Sequence, residues 1–137
     1  MQTVFSHIQF NVQPANLPFY KDLMAFLGWP VIFEGDGFVG TGGPSGGSLW
    51  FIGYVKPVSN DYDGPGMNHI GLGAASQADV DAVSAYLAER GVELLFETPR
   101  HRPDFAHGPD QTYYQVMFES PDRILWEVVY TGPKTEK

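Results

Sequence analysis

Apolar and polar residues alternate along residues 3–13, and this period of two predicts a β-strand. His7 points to one face of that strand, and the apolar side chains of the other face are Ile8, Phe10 and Val12. The spacing of apolar residues then changes to that of a helix, in which Pro18 is tolerated because it lies in the first turn. Gly28 is a typical C-terminal stop. The apolar stripe of this helix consists of Leu17, Phe19, Tyr20, Leu23, Met24 and Leu27.

Three short strands follow, at residues 29–34, 38–41 and 48–55, with glycine-rich turns between them. The first part of the chain therefore has the predicted order strand, helix, strand, strand, strand. Residues 56–66 are polar and contain Pro and Gly, which indicates a linker.

The same order of elements begins again after the linker. Residues 67–74 form a predicted strand that carries His69. Ser76 and Asp79 resemble a capping box, so we expect a helix from there to about Arg90. Further strands are expected at 92–97, 112–119 and 123–130, with a loop at about 98–111 and a frayed tail at 131–137.

Two segments of the first half match the second half in spacing. Residues 28–34 match residues 91–97, and both segments begin with Gly and end with Phe-Glu. Residues 49–54 match residues 125–130. We therefore predict a single α+β domain of two βαβββ modules, the first at about 3–55 and the second at about 67–130. Because one module cannot cover its own apolar face, the two are expected to pair.

Glu127 lies in the middle of an apolar strand, where a carboxylate is costly to bury unless another group binds it. His7 and His69 have comparable strand-like surroundings. Two imidazoles and one carboxylate form a facial triad that leaves coordination positions open on a metal. The hypothesis is that His7, His69 and Glu127 converge on one divalent cation.

Charge and composition exclude several classes of function. The chain has 137 residues, of which 16 are acidic and 8 are basic, for a net charge of -8. This balance argues against binding to nucleic acid or to an anionic membrane surface. No cysteine is present, so disulfides and thiolate chemistry are excluded. Without a signal peptide or an apolar run of membrane-spanning length, the expected location is cytoplasmic.

The sequence resembles the vicinal oxygen chelate superfamily, which includes glyoxalase I, bleomycin-resistance proteins and extradiol dioxygenases. The resemblance rests on the histidine of the first strand in each half and the glutamate of the last strand, and it covers about residues 3–130. In the family that glutamate follows a turn of the type Asp-Pro-Asp-Gly-Asn by three residues. Here residues 120–124 (Ser-Pro-Asp-Arg-Ile) take that place, and Glu127 falls at the expected distance.

The resemblance implies an eight-stranded, half-open barrel that holds a divalent metal, such as Fe, Mn, Ni, Zn or Co. It also implies a small-molecule substrate with adjacent oxygens, a lyase or isomerase reaction of glyoxalase type, and a homodimer. An extradiol-dioxygenase-like enzyme and a non-catalytic binding protein, as in bleomycin resistance, are the alternatives. Glyoxalase I enzymes use a fourth ligand, and the repeat places Phe51 at that position, or Trp50 after a slip of one residue. Neither side chain ligates a metal, which favours a three-ligand site, and Phe51 becomes a substrate-binding candidate.

The long loop of the second half supplies further candidates. Arg100 and Arg102 are candidates for contact with a substrate anion, and His101 and His107 for acid–base catalysis. Either Tyr113 or Tyr114 is expected to face the cavity, and a slip of one residue in the strand register reverses which one.

Overall fold

The first half of the chain forms one four-stranded sheet and one long helix. In the computed structural model, which describes residues 1–54 and 56–135, the sheet has the order β1-β4-β3-β2. Strands β1 and β4 are parallel, and the other neighbours are antiparallel. The elements are β1 (His7–Val12), a 3₁₀ turn (Pro14–Asn16), α1 (Leu17–Phe26), β2 (Val31–Gly35), β3 (Phe38–Gly42) and β4 (Ser48–Gly53). The predicted fourth strand included Val55, which lies outside the described residues.

Helix α1 covers one face of this first sheet. Tyr20, Leu23 and Met24 on α1 are buried. The Tyr20 ring stacks on Phe51 at 4.6 Å between centroids, and Phe51 stacks on Phe10 at 5.2 Å. Because side chains alternate along β1, His7 lies on the opposite, exposed face. The predicted orientation of His7 relative to the apolar residues of this strand is confirmed.

The second half repeats this order around its own sheet, β5-β8-β7-β6, in which β5 and β8 are parallel. The backbone N–H of Asp79 donates to Ser76 Oγ at 3.1 Å, so Ser76 is the N-cap that the sequence predicts. The elements are β5 (Ile70–Gly73), α2 (Gln77–Glu89), β6 (Arg100–His101), a 3₁₀ turn (Pro103–Phe105), β7 (Gln111–Glu119) and β8 (Leu125–Pro133).

The predicted strand at residues 92–97 is wrong. Only Leu94 pairs there, in a single bridge to Phe118. Phe96 and Glu97 have φ values of 57° and 61°, a left-handed conformation that ends extended backbone. The outer strand of the second sheet is instead the two-residue β6, inside the segment predicted to be a loop.

Several predicted boundaries also shift. Strand β1 begins at His7 rather than at residue 3, and His69 comes just before β5 rather than within it. Strand β8 begins at Leu125 because Arg123 has a φ of 57° in the preceding turn. It continues to Pro133, which pairs with Gln111, so residues 131–133 belong to the sheet and are not frayed. Residues 136–137 of the predicted tail lie outside the described residues.

The chain divides into two compact units between Ser59 and Asn60, within the predicted linker. Each unit contains one sheet of four strands and one long helix, and the helix follows the first strand. Each unit therefore has the predicted βαβββ order. No helix within residues 1–54 and 56–135 is long and apolar enough to cross a membrane.

Tyr114 joins β7 to α2 and gives a test of this packing. Its hydroxyl donates to Asp81 Oδ1 at 2.6 Å, and burial, with this hydrogen bond, raises the pKa of Tyr114 to about 12. Since the pKa is above the ordinary value of 10, the stabilisation is complete below pH 10 and is lost as the pH rises towards 12. Tyr114→Phe should lower the free energy of unfolding in urea at pH 7 by about 1 kcal/mol.

The difference between wild type and Tyr114→Phe should shrink between pH 10 and 12. Tyr54→Phe, at an exposed tyrosine, controls for loss of a hydroxyl and should leave the stability at pH 7 unchanged. A difference from wild type that does not depend on pH over that range would contradict the assigned role of Tyr114.

Candidate metal centre

Glu127 lies on the face of the second sheet that is turned away from α2. Strand register places Gly71 beside Glu127 on β5 and Met117 opposite it on β7. Its neighbours along β8, Trp126 and Val128, are buried on the other face, and α2 contacts β8. We call the surface formed by Gly71, Tyr113, Gln115 and Glu127 the Glu127 face.

The Glu127 carboxylate is buried and accepts hydrogen bonds from two side chains. Glu127 is 4% exposed. The Tyr113 hydroxyl lies 3.0 and 3.1 Å from its two oxygens, and the Gln115 amide nitrogen donates to Oε2. Burial, followed by the bond to Glu127, raises the pKa of Tyr113 to about 12, so the hydroxyl keeps its proton at neutral pH. These two donors repay part of the cost of burying a carboxylate.

Gln115 is itself oriented by Arg102. Arg102 Nη1 donates to Gln115 Oε1 at 3.2 Å, which turns the amide nitrogen of Gln115 towards Glu127. Asp104 holds Arg102 through contacts of 3.1 and 3.4 Å, and the hydrogen bond with Arg102 lowers the pKa of Asp104. The Arg102 guanidinium also lies over the Phe105 ring at 4.5 Å. Arg102 therefore positions the residues around Glu127, and each of its three guanidinium nitrogens already has a protein partner.

The loop before β5 fixes the orientation and the tautomer of His69. Asn68 Nδ2 donates to the backbone carbonyl of Tyr62 at 3.1 Å, so Asn68 Oδ1 is the atom that lies 2.7 Å from His69 Nδ1. An amide oxygen only accepts, and His69 Nδ1 must therefore carry a proton. In the neutral ring the lone pair is then on Nε2.

His69 Nε2 lies 3.5 Å from Glu127 Oε1. When the ring is neutral, a nitrogen lone pair faces a carboxylate oxygen, and two such groups attract only if a cation or a proton lies between them. A nitrogen donor and an oxygen donor suit a divalent transition metal, and the partner of Nδ1 is the kind of second contact that orients metal-bound histidines. Two of the three predicted ligands, His69 and Glu127, therefore lie together in the second unit in an arrangement that suits a metal ion.

Because Gly71 has no side chain, the Glu127 carboxylate has space beside it on β5. A Cβ at Gly71 would lie 3.2 Å from Glu127 Oε1, whereas a Cβ at Gly73 would meet nothing within 4 Å. A side chain at Gly71 would press on the atom that faces His69, and one at Gly73 would not.

His7, the third predicted ligand, belongs to the first unit. It is exposed on β1, and Ser6 Oγ lies 2.9 Å from its Nδ1. It borders an open depression of about 360 Å³ together with Gln9, Ser48, Trp50 and Ile52. Neither unit by itself brings three His, Asp or Glu side chains together among residues 1–54 and 56–135. The structure thus pairs His69 with Glu127 in one unit and places His7 in the other.

The counterpart of Glu127 in the first unit is Trp50 rather than Phe51. Strand register pairs Gly71 with Glu127 and Gln9 with Trp50, and Gly71 and Gln9 each lie two residues after the candidate histidine. Phe51 is fully buried against Tyr20. Phe51 therefore belongs to the core of the first unit, and this corrects its prediction as a substrate-binding residue.

The remaining candidates divide between the two faces of the second sheet. Tyr113 lies on the Glu127 face, whereas Tyr114 contacts α2. His101 pairs with Tyr114 across β6 and β7, and its Nδ1 lies 2.5 Å from Thr112 Oγ1. It is therefore on the face opposite Glu127. Arg100 pairs with Gln115 and shares the Glu127 face, and His107 is exposed in the loop.

Sequence reasoning missed Gln115, Asn68 and Gly71. The sequence did contain a signal for Gln115: it is a polar residue in a largely apolar strand, and its spacing of two residues places it on the same face as Tyr113. Asn68 comes directly before His69, and Gly71 comes two residues after it. The role of Asn68 depends on its hydrogen bonds, and that of Gly71 depends on strand register, so neither residue had a signal in the sequence.

Comparison with known proteins agrees with this architecture. Residues 5–128 match the family model of the Glyoxalase/Bleomycin resistance protein/Dioxygenase superfamily. The structure of a candidate glyoxalase from Bacillus halodurans is 27% identical, with 94% of this chain and 96% of that chain covered and a TM-score of 0.77. A glyoxalase/bleomycin resistance protein from Albidiferax ferrireducens is 21% identical, with coverage of 92% and 98% and a TM-score of 0.70. The predicted α+β glyoxalase fold and the family resemblance are confirmed.

A shorter match is to the uncharacterized protein YqjT of Bacillus subtilis. It is 38% identical over 64 residues, which are 47% of this chain and 46% of that protein. The match therefore spans less than half of either chain.

Asn68→Ala tests how the tautomer of His69 is fixed. Loss of the acceptor for Nδ1–H, worth about 1 kcal/mol, should shift the tautomer ratio of the neutral ring about fivefold towards Nε2–H. Long-range ¹⁵N–¹H spectra of the histidine rings in metal-free protein measure this ratio. Asn11→Ala, at an exposed position of β1, is the control. An unchanged His69 spectrum in Asn68→Ala would show that another group fixes the tautomer.

Proposed function

Because the chain belongs to the glyoxalase/bleomycin resistance protein/dioxygenase superfamily, we propose that it is a metal-dependent enzyme of glyoxalase type. The reaction would be that of a lyase or isomerase on a small substrate with adjacent oxygens. The observation that carries this proposal is the approach of His69 Nε2 to the buried carboxylate of Glu127 at 3.5 Å. The homodimer and the cytoplasmic location stay predictions.

We propose His7, His69 and Glu127 as the ligands of one divalent ion, such as Fe, Mn, Ni, Zn or Co. Bound there, the ion would act as a Lewis acid on a substrate oxygen. The protein's own residues prepare for this: Asn68 keeps the lone pair of His69 on Nε2. Tyr113 and Gln115 hold the Glu127 carboxylate at the surface of the sheet.

Tyr113 is the acid–base candidate that lies nearest to these ligands. Its hydroxyl contacts Glu127, and its raised pKa keeps it protonated, so it is suited to donate a hydrogen bond rather than to accept a proton. His107, in the exposed loop, has no such contact with Glu127 in the described structure.

A second candidate function is non-catalytic binding of a small molecule. A doubly protonated His69 would form an ion pair with Glu127 at the same 3.5 Å and need no metal. The open depression beside Trp50 offers an aromatic surface to a ligand. An extradiol-dioxygenase-like enzyme would use the same three ligands with iron. Metal content separates the binding protein from the two enzymes.

Metal analysis of purified protein tests the ligand set. Wild type should bind one equivalent of a divalent metal, and His7→Ala, His69→Ala and Glu127→Gln should each weaken binding at least about tenfold. His107→Ala removes an exposed imidazole and should bind as wild type does. If wild type and His69→Ala carry the same sub-stoichiometric metal, the ligand assignment is wrong and the binding-protein function is favoured.

A paired glycine substitution tests the position of the carboxylate. Gly71→Ala should weaken metal binding, because its Cβ would displace Glu127 Oε1 by a few tenths of an ångström. Gly73→Ala, on the same strand and face, should have no effect, since its Cβ meets nothing within 4 Å. Titration calorimetry with a divalent metal measures both, and equal affinities in the two variants would mean that Glu127 Oε1 is not at the metal.

A further inference from the structure

Arg100 is a cation on the Glu127 face with donors that the protein does not use. Its Nε is buried, and no acceptor among residues 1–54 and 56–135 forms a hydrogen bond with it. Its ion-pair partner is Glu97, at 3.7 Å, a distance beyond that of a good hydrogen bond. Glu97 is 89% exposed, so this pair contributes little.

Arg102 gives a comparison within the same segment. It contacts Asp104 at 3.1 Å, donates to Gln115 and packs over Phe105. Its charge is neutralised by Asp104, and its donors are directed at protein atoms. Of the two arginines, Arg100 is therefore the one with capacity to bind a ligand.

Arg100 lies two strands from Glu127. It pairs with Gln115 across β6 and β7, and Gln115 in turn donates to Glu127 on β8. Neighbouring strands are about 4.8 Å apart, so β6 and β8 are roughly 10 Å apart. The guanidinium and the proposed metal ligands thus border one side of the sheet at a separation that suits the two ends of a small molecule.

We propose that Arg100 binds a carboxylate group of the substrate. The substrate class is then a small carboxylate whose two adjacent oxygens are separated from the carboxylate by a short carbon chain. This inference rests on the proposed function in one respect: the adjacent oxygens of the substrate would be bound by the proposed metal ion. The planar guanidinium suits a carboxylate because two N–H groups can donate to its two oxygens.

A single charge at the anion end favours a carboxylate over a phosphate. Arg100 is one cation on a chain of net charge -8, and Glu127 already places a buried negative charge on the same face. A phosphate dianion would need further cations to offset its repulsion, and Arg102 is paired with Asp104. A monoanion matches the single charge of Arg100, which its distant and exposed partner Glu97 offsets only weakly.

The test compares three small probes in metal-loaded and metal-free protein. The probe 3,4-dihydroxybutyrate carries both groups, 1,2-butanediol carries only the adjacent oxygens, and butyrate carries only the anion. Binding is followed by NMR titration, with the Arg100 Nε–H resonance as a local reporter. The variants are Arg100→Gln, Arg100→Lys and Arg90→Gln. Arg90 is the matched control because it is 49% exposed, against 40% for Arg100, and lies at the C-terminal end of α2, beside Glu89.

Metal-loaded wild type should bind 3,4-dihydroxybutyrate at least tenfold more tightly than 1,2-butanediol. Arg100→Gln should abolish this preference while its metal affinity stays unchanged, Arg100→Lys should keep part of it, and Arg90→Gln should keep all of it. Equal binding of 3,4-dihydroxybutyrate by wild type and Arg100→Gln overturns the proposal. Inorganic phosphate is titrated as a fourth probe, and tighter binding of phosphate than of butyrate overturns the choice of a carboxylate.

The metal-free protein separates the two hypotheses. Butyrate binding that depends on Arg100, in a protein that takes up no metal, supports the anion site and overturns the proposed metal-dependent function. Metal binding without any dependence of the probes on Arg100 supports the proposed function and overturns this inference. Urea unfolding of each variant confirms that the fold is retained.

Discussion

The second unit is organised around one costly group, the buried carboxylate of Glu127. A carboxylate removed from water must be matched by donors or by a cation. Tyr113 and Gln115 supply neutral donors, and the nearest ring nitrogen, His69 Nε2, is the one that the Asn68 contact leaves with a lone pair. The described hydrogen-bond donors to Glu127 are therefore both neutral groups, so a bound cation would supply the opposite charge that a buried carboxylate favours.

Residues far from Glu127 maintain this arrangement. The loop that carries Asn68 is anchored through Tyr62, whose hydroxyl donates to Glu119 at 2.5 Å. Asn60, in the same loop, donates to the backbone carbonyl of Arg123 at 2.9 Å. The segment before β5 is thus fastened to the turn between β7 and β8. Since that turn precedes Glu127 in the chain, the two candidate ligands of this unit share one support.

The sequence was sufficient where one residue decides the structure. Ser76 caps α2 as predicted, and Glu127 stood out because a charge in an apolar strand has few explanations. It was insufficient where backbone conformation or register decides. Nothing in the letters of residues 92–97 reveals the left-handed conformation of Phe96 that ends the expected strand. The alignment of the two halves was displaced by one residue, so that Phe51 rather than Trp50 was matched with Glu127. The displacement was not visible in the sequence because both are large aromatic residues in one strand. Similarly, Arg100 and Arg102 were equivalent candidates until their partners were visible.

The most direct measurement of the central claim is anomalous diffraction from crystals of metal-saturated protein, recorded at the absorption edge of the metal. The account predicts one peak about 2.0–2.2 Å from His69 Nε2 and from a Glu127 oxygen, with His7 as a further ligand. Metal-saturated crystals without a peak at this pair, or with the His69 ring hydrogen-bonded directly to Glu127, would contradict it.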